Sequence, residues 1–165
     1  MKNSLRLFAF ILCVSFFSCN QPKHSDEAKT GVTKADGTEE CYKAVFKTDT
    51  ADMKINTIAG GKVTGTLVIS YGELKPNQVE KTVNTGNIAG SFSGDTLFVN
   101  YTFTTGSVNK TQYVNPLAFL RKGDTLAMGV GEMETSMGRT YFLKDKPIDF
   151  EVGKFKFLSV ECKDR

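Results

Sequence analysis

From residue 41 onward, apolar and polar positions alternate with a period of two, and Gly, Asp and Asn recur at short intervals. That pattern predicts strands joined by tight turns, with no amphipathic helical stripe. The strands fall at about 41–48, 51–58, 62–72, 79–92, 95–105, 110–122, 125–135, 138–144 and 155–162, with a bulge expected near Asn84-Thr85-Gly86. The stretch Lys146-Pro147-Ile148-Asp149-Phe150 reads as a turn or a short helical crossover.

Pairing arithmetic tests the strands, because a hairpin's register decides which faces meet. A two-residue turn at Gly94-Asp95 sets Phe92 against Leu97, Gly90 against Val99 and Ile88 against Tyr101. The same turn at Gly123-Asp124 sets Arg121 against Leu126, Phe119 against Met128 and Leu117 against Val130. A three-residue loop at Ala59-Gly60-Gly61 sets Met53 against Leu67 and Ile55 against Gly65. In each hairpin the apolar faces coincide. Glycine opposite a large residue makes room inside a curved sheet, so Gly65 and Gly90 favour strong coiling. The expected fold is all-β: an antiparallel meander of eight or nine strands closing into a barrel, with a two-sheet sandwich as the alternative. The layout resembles lipocalin and avidin barrels, but the chain has no Trp and so lacks avidin's ligand-stacking residues.

The first eighteen residues break the alternation. Lys2 and Arg6 precede the apolar run Leu7–Val14, and Ser15-Phe16-Phe17-Ser18 leads directly to Cys19. The run is short for a bilayer span, which takes ~20 apolar residues. A charged start, a short apolar run and a small residue form a signal peptide. With Cys19 next, the segment resembles a bacterial lipoprotein signal, whose cysteine is acylated and becomes the mature amino terminus. Phe16 and Phe17 replace the commoner aliphatic and small residues, as in the looser lipoboxes of Bacteroidota. The resemblance therefore implies a small lipoprotein of that type, held in the cell envelope by lipid on Cys19. Asn20 is not the aspartate that retains enterobacterial lipoproteins in the inner membrane, so the outer membrane is favoured. Residues 19–40 carry one large aliphatic residue, Val32, too little apolar surface to offset the entropy of folding. They are expected to be a tether, and residues 41–165 the β-domain.

Four cysteines become two once Cys13 leaves with the signal and Cys19 is lipidated. Cys41 and Cys162 stand at opposite ends of the domain, and export implies an oxidising compartment, so a structural disulfide between them is expected. A redox pair or thiolate metal site would want closer spacing or more ligands.

Charge and side-chain inventory narrow the chemistry. Two of the 21 basic residues fall in the signal, and the rest nearly balance the 18 acidic residues, leaving no field to hold nucleic acid. The sole histidine, His24, lies in the tether, so triad catalysis and imidazole metal sites inside the domain are not expected. No cofactor motif is present. The Gly123-Asp124 register, extended, brings Asn115 opposite Glu132 and Tyr113 opposite Glu134. Tyr113, Asn115, Glu132 and Glu134 would then form a polar mouth to an apolar interior lined by Leu97, Val99, Phe103, Phe119 and Met128. Arg121 reads as a solvated hairpin residue, and Tyr71 and Tyr101 as core or rim. Asp49-Thr50-Ala51, Asp95-Thr96-Leu97 and Asp124-Thr125-Leu126 resemble the O-glycosylation sequon of exported Bacteroidota proteins, which makes Thr50, Thr96 and Thr125 candidate acceptors. The expected function is that of a non-enzymatic envelope lipoprotein binding a small apolar ligand or an envelope protein. The alternative is an accessory lipoprotein whose barrel is packed solid and whose surface makes the contacts.

Overall fold

A computed structural model describes residues 37–74, 76 and 80–163. The signal peptide, Cys19, His24 and most of the tether lie outside the described residues. In chain order the strands are β1 (Thr38–Phe46), β2 (Asp49–Thr57), β3 (Lys62–Ser70), β4 (Val83–Ser93), β5 (Thr96–Thr105), β6 (Tyr113–Lys122) and β7 (Thr125–Met128). They continue as β8 (Val130–Gly131), β9 (Met133–Ser136), β10 (Arg139–Phe142), β11 (Ile148–Asp149) and β12 (Lys156–Val160). Eight of them close an antiparallel barrel in the order β1-β12-β7-β6-β5-β4-β3-β2. Residues 129–155 leave the wall after β7 and return at β12, carrying two small ladders, β8·β11 and β9·β10.

Three expected hairpin registers form. Phe92, Gly90 and Ile88 face Leu97, Val99 and Tyr101. Met53 and Ile55 face Leu67 and Gly65 across the loop at 59–61, which Ile58 N closes on Lys62 O at 2.9 Å. At the third, Arg121 and Phe119 face Leu126 and Met128, with Gly94 and Gly123 supplying the left-handed backbone of their tight turns (φ 57° and 62°). Cys41 and Cys162 form the expected disulfide, with Cα atoms 5.2 Å apart. It joins β1 to the chain just past β12, the two strands that meet where the barrel closes.

Other expectations are corrected. β1 begins at Thr38, so the barrel takes in the last three residues assigned to the tether. β4 runs unbulged through Gly86, facing β3 and β5 in continuous register. A Cβ on Gly86 would collide with the Thr102 carbonyl, so this glycine serves a close approach of two backbones. The single strand expected at 125–135 is three pieces, β7, β8 and β9. The stretch 146–150 contains no helix; Ile148-Asp149 pairs with Val130-Gly131.

Inward side chains fill the barrel. Ile55, Leu67, Leu97, Phe119, Leu126 and Phe157 are wholly buried, and Tyr42, Met53, Val99, Tyr101, Phe103 and Phe155 are nearly so. Phe119 meets Phe157 edge to face at 5.6 Å, and Tyr101 stacks on Phe103 at 4.6 Å. The Tyr101 hydroxyl lies 3.0 Å from the carbonyl oxygens of both Leu67 and Asn84, which accept its proton. Burial pushes its pKa upward. At one end of the barrel Arg121, expected to be a solvated hairpin residue, is half-buried, its side chain 33% exposed. Its Nη2 donates to Glu40 Oε2 at 2.9 Å, its guanidinium lies 4.4 Å from the Phe92 ring centre, and Glu40 Oε1 accepts from the Tyr42 hydroxyl at 2.8 Å. Burial first, and the Glu40 carboxylate second, push the Tyr42 phenol up to about 12.

Candidate functional site

The polar mouth expected of Tyr113, Asn115, Glu132 and Glu134 is not assembled. Pairing of β6 with β7 stops at Phe119↔Met128, so Leu117 never faces Val130, which faces Asp149 instead. Tyr113 and Asn115 stay in the wall opposite Phe103 and Tyr101 of β5. Glu134 pairs with Tyr141 in the β9·β10 ladder, and Glu132 lies 3.8 Å from Lys146 with its side chain 66% exposed. All four residues are exposed, and the interior beneath them is occupied by the core.

Backbone chemistry explains where the pairing ends. Arg121 N donates to Asp95 O on the β5 side, whereas Ala118 O accepts from Gly129 N on the β7 side. Odd residues of β6 therefore turn their backbone groups toward β5 and even residues toward β7. Pro116, an even residue, has no N–H to offer there. Strand prolines sit at such edges because no ladder bond is lost. Beyond this point the chain departs through Gly129 and Gly131. Ile148 and Phe150 pack over Gly129, and Phe142 and Ile148 over Gly131, so tightly that a Cβ on either glycine would strike these side chains.

This departure builds a groove on the outside of the barrel, of about 620 Å³. Its floor is the outward face of β4, β5 and β6, where Ala89, Phe98, Asn100 and Pro116 alternate with inward core residues. Its wall is the segment 140–150, which contributes Phe142, Leu143, Ile148 and Phe150, all half-buried. Phe98 remains 40% exposed on that floor. Lys144 and Lys146 also line the groove, and no acidic residue does. The volume falls within the ~300–1,000 Å³ typical of small-molecule sites, and a mainly apolar lining with few polar groups is their usual chemistry.

Two further concavities have charged linings. One, about 650 Å³, includes Lys43, Asp52, Lys54, Glu161 and Lys163; the other, about 580 Å³, lies at the Tyr71 end with Asp49, Glu73 and Lys154. Burial, and secondarily Asp49, raise the Tyr71 pKa. Among the described residues no group of three or more His, Cys, Asp or Glu could hold a metal ion. Thr50, Thr96 and Thr125 each stand at the start of a strand beside a hairpin, half-buried; Thr96 also lines the outer groove, and the Thr125 hydroxyl lies 3.4 Å from Asp124 Oδ1.

No family model, curated protein or solved structure matches the chain. Reading the sequence by register alone missed the groove. Its signal was present in Pro116, which ends the β6·β7 ladder, and in Phe142, Ile148 and Phe150, apolar residues spaced too irregularly for a barrel strand.

Proposed function

We propose that this chain is a non-enzymatic lipoprotein of the bacterial outer membrane, of the small Bacteroidota type, anchored through Cys19 and acting through the outer surface of a solid barrel. What carries the reading is the contrast between a lumen filled by Phe119, Leu126 and Phe157 and an apolar groove on the outer wall. A ligand in the lumen would have to displace core side chains at several kcal/mol each. A small apolar molecule or an apolar segment of an envelope protein can enter the groove with the core intact.

One experiment on the full chain, expressed in a Bacteroidota host, tests both parts. Cys19→Ser should move the protein from the membrane to the soluble fraction, since acyl chains supply ~0.8 kcal/mol of anchoring per buried methylene. The neutral fluorophore N-phenyl-1-naphthylamine should bind the purified protein and lose its site in Ala89→Trp, which fills the groove floor. Membrane retention of Cys19→Ser after a high-salt wash overturns the anchor; dye binding indifferent to Ala89→Trp overturns the groove.

A further inference from the structure

The lining of the outer groove is chemically lopsided. Phe98, Pro116, Phe142, Leu143, Ile148 and Phe150 make it apolar, and every charged residue that lines it is a lysine. Lys144 has no ion-pair partner among the described residues. Lys146 pairs with Glu132, 3.8 Å away and outside the groove lining. Asp145, between the two lysines in sequence, does not line the groove either. Two lysines at an apolar trough whose lining contains no acid are complementary to a molecule that is apolar along its length and anionic at one end.

We propose that the groove binds a long-chain fatty carboxylate, its alkyl chain lying between Phe98 and the side chains of Phe142, Ile148 and Phe150, and its carboxylate meeting Lys144 and Lys146. This deepens the surface-binding reading above and rests on it. The alkyl chain gains by leaving water against half-buried side chains that are already in place. The carboxylate gains from the lysines at a solvated position, where one ion pair is worth up to ~1 kcal/mol, or about fivefold in affinity. A neutral ester of the same chain keeps the first contribution and loses the second.

The test uses the full chain and two fluorescent probes of the same chain length, cis-parinaric acid and its methyl ester, titrated below their aggregation limits. The acid should bind about fivefold tighter than the ester at low ionic strength, and added salt should erase the difference, because screening weakens exposed charge pairs. Lys144→Ala combined with Lys146→Ala should bring the acid to the affinity of the ester and leave the ester unchanged. Ala89→Trp should abolish both. Phe98→Asp, placing an anion on an exposed floor position, is the second variant should Ala89→Trp fail to fold, and it should discriminate against the acid. Equal affinities for acid and ester, both lost in Ala89→Trp, overturn the carboxylate assignment while leaving the surface reading intact. If neither probe binds, or if binding survives both floor variants, the two readings fall together. An Ala89→Trp-sensitive dimer in light scattering would show the groove filled by a second copy and overturn the ligand.

Discussion

The barrel wall and the excursion 129–155 are built from the same kinds of residue, yet they bury them very differently. In the wall, inward side chains such as Leu97, Phe119 and Leu126 are removed from water completely, and every strand is paired on both sides. Between 129 and 154 no described residue is buried, and the ladders are two and four pairs long. The wall is held by a continuous core, whereas the excursion is held by a few half-buried rings resting on Gly129, Gly131 and the outside of β6. A region with that little burial contributes less to global stability and opens at lower cost. Its partly satisfied apolar surface is also what walls the outer groove.

The sharpest way to break this contrast is to weaken the wall at its seam. Cys41→Ser with Cys162→Ser releases a cross-link closing a loop of 121 residues. In the chain-entropy account such a loop is worth about 5 kcal/mol. Urea unfolding of the double variant should therefore show a much lower midpoint with barrel and excursion lost together, because the bond joins the ends of the unit that supports both. An unchanged midpoint would mean that closure of the wall does not depend on the bond.

A smaller effect comes from comparing one ring in each region. Phe119→Ala removes a fully buried ring at the centre of the core and should cost about 4 kcal/mol. Phe142→Ala removes a half-buried ring from the excursion and should cost about 1 kcal/mol, since only part of its surface leaves water on folding. Matched denaturant melts measure both. Should Phe142→Ala prove as costly as Phe119→Ala, the excursion would belong to the core, and a groove between them could not be a loosely held surface.

The same contrast governs what could be read from the chain before its fold was known. Wall registers such as Phe92↔Leu97 and Met53↔Leu67 are local: alternation and a glycine turn within a dozen residues decide them. The cysteines at the domain's ends carried the disulfide for a similar reason, since a closed meander brings its ends together. The candidate mouth failed because it extrapolated one register past Phe119↔Met128, beyond the proline and the glycines that end it. Residues 129–155 are placed by contacts distant in sequence, such as β10 beside β6, and periodicity carries no record of those. Arg121 was misjudged because a charged residue next to a turn is ordinarily solvated. Its partners, Glu40 and Phe92, come from strands far away in sequence or across another hairpin.

The smallest effect concerns that end of the wall and is read from pH. An unfolded tyrosine loses its proton near pH 10, while the Tyr42 phenol, nearly buried and bonded to Glu40, holds its proton to about 12. Between these values the unfolded chain binds fewer protons than the folded one, so unfolding becomes more favourable as pH rises. The stabilisation from this phenol is fully present below about pH 10 and lost progressively as pH passes through about 12. Tyr42→Phe should cost about 1 kcal/mol at neutral pH, through loss of the bond to Glu40, and should flatten the alkaline fall in stability. The remaining fall belongs to Tyr101 and Tyr71, whose pKa values burial also raises. Urea midpoints at pH 8, 10 and 11 for both proteins measure this. If the two curves stay parallel across that range, the Tyr42–Glu40–Arg121 cluster does not stabilise that end of the barrel, and the wall's advantage over the excursion rests on its apolar core alone.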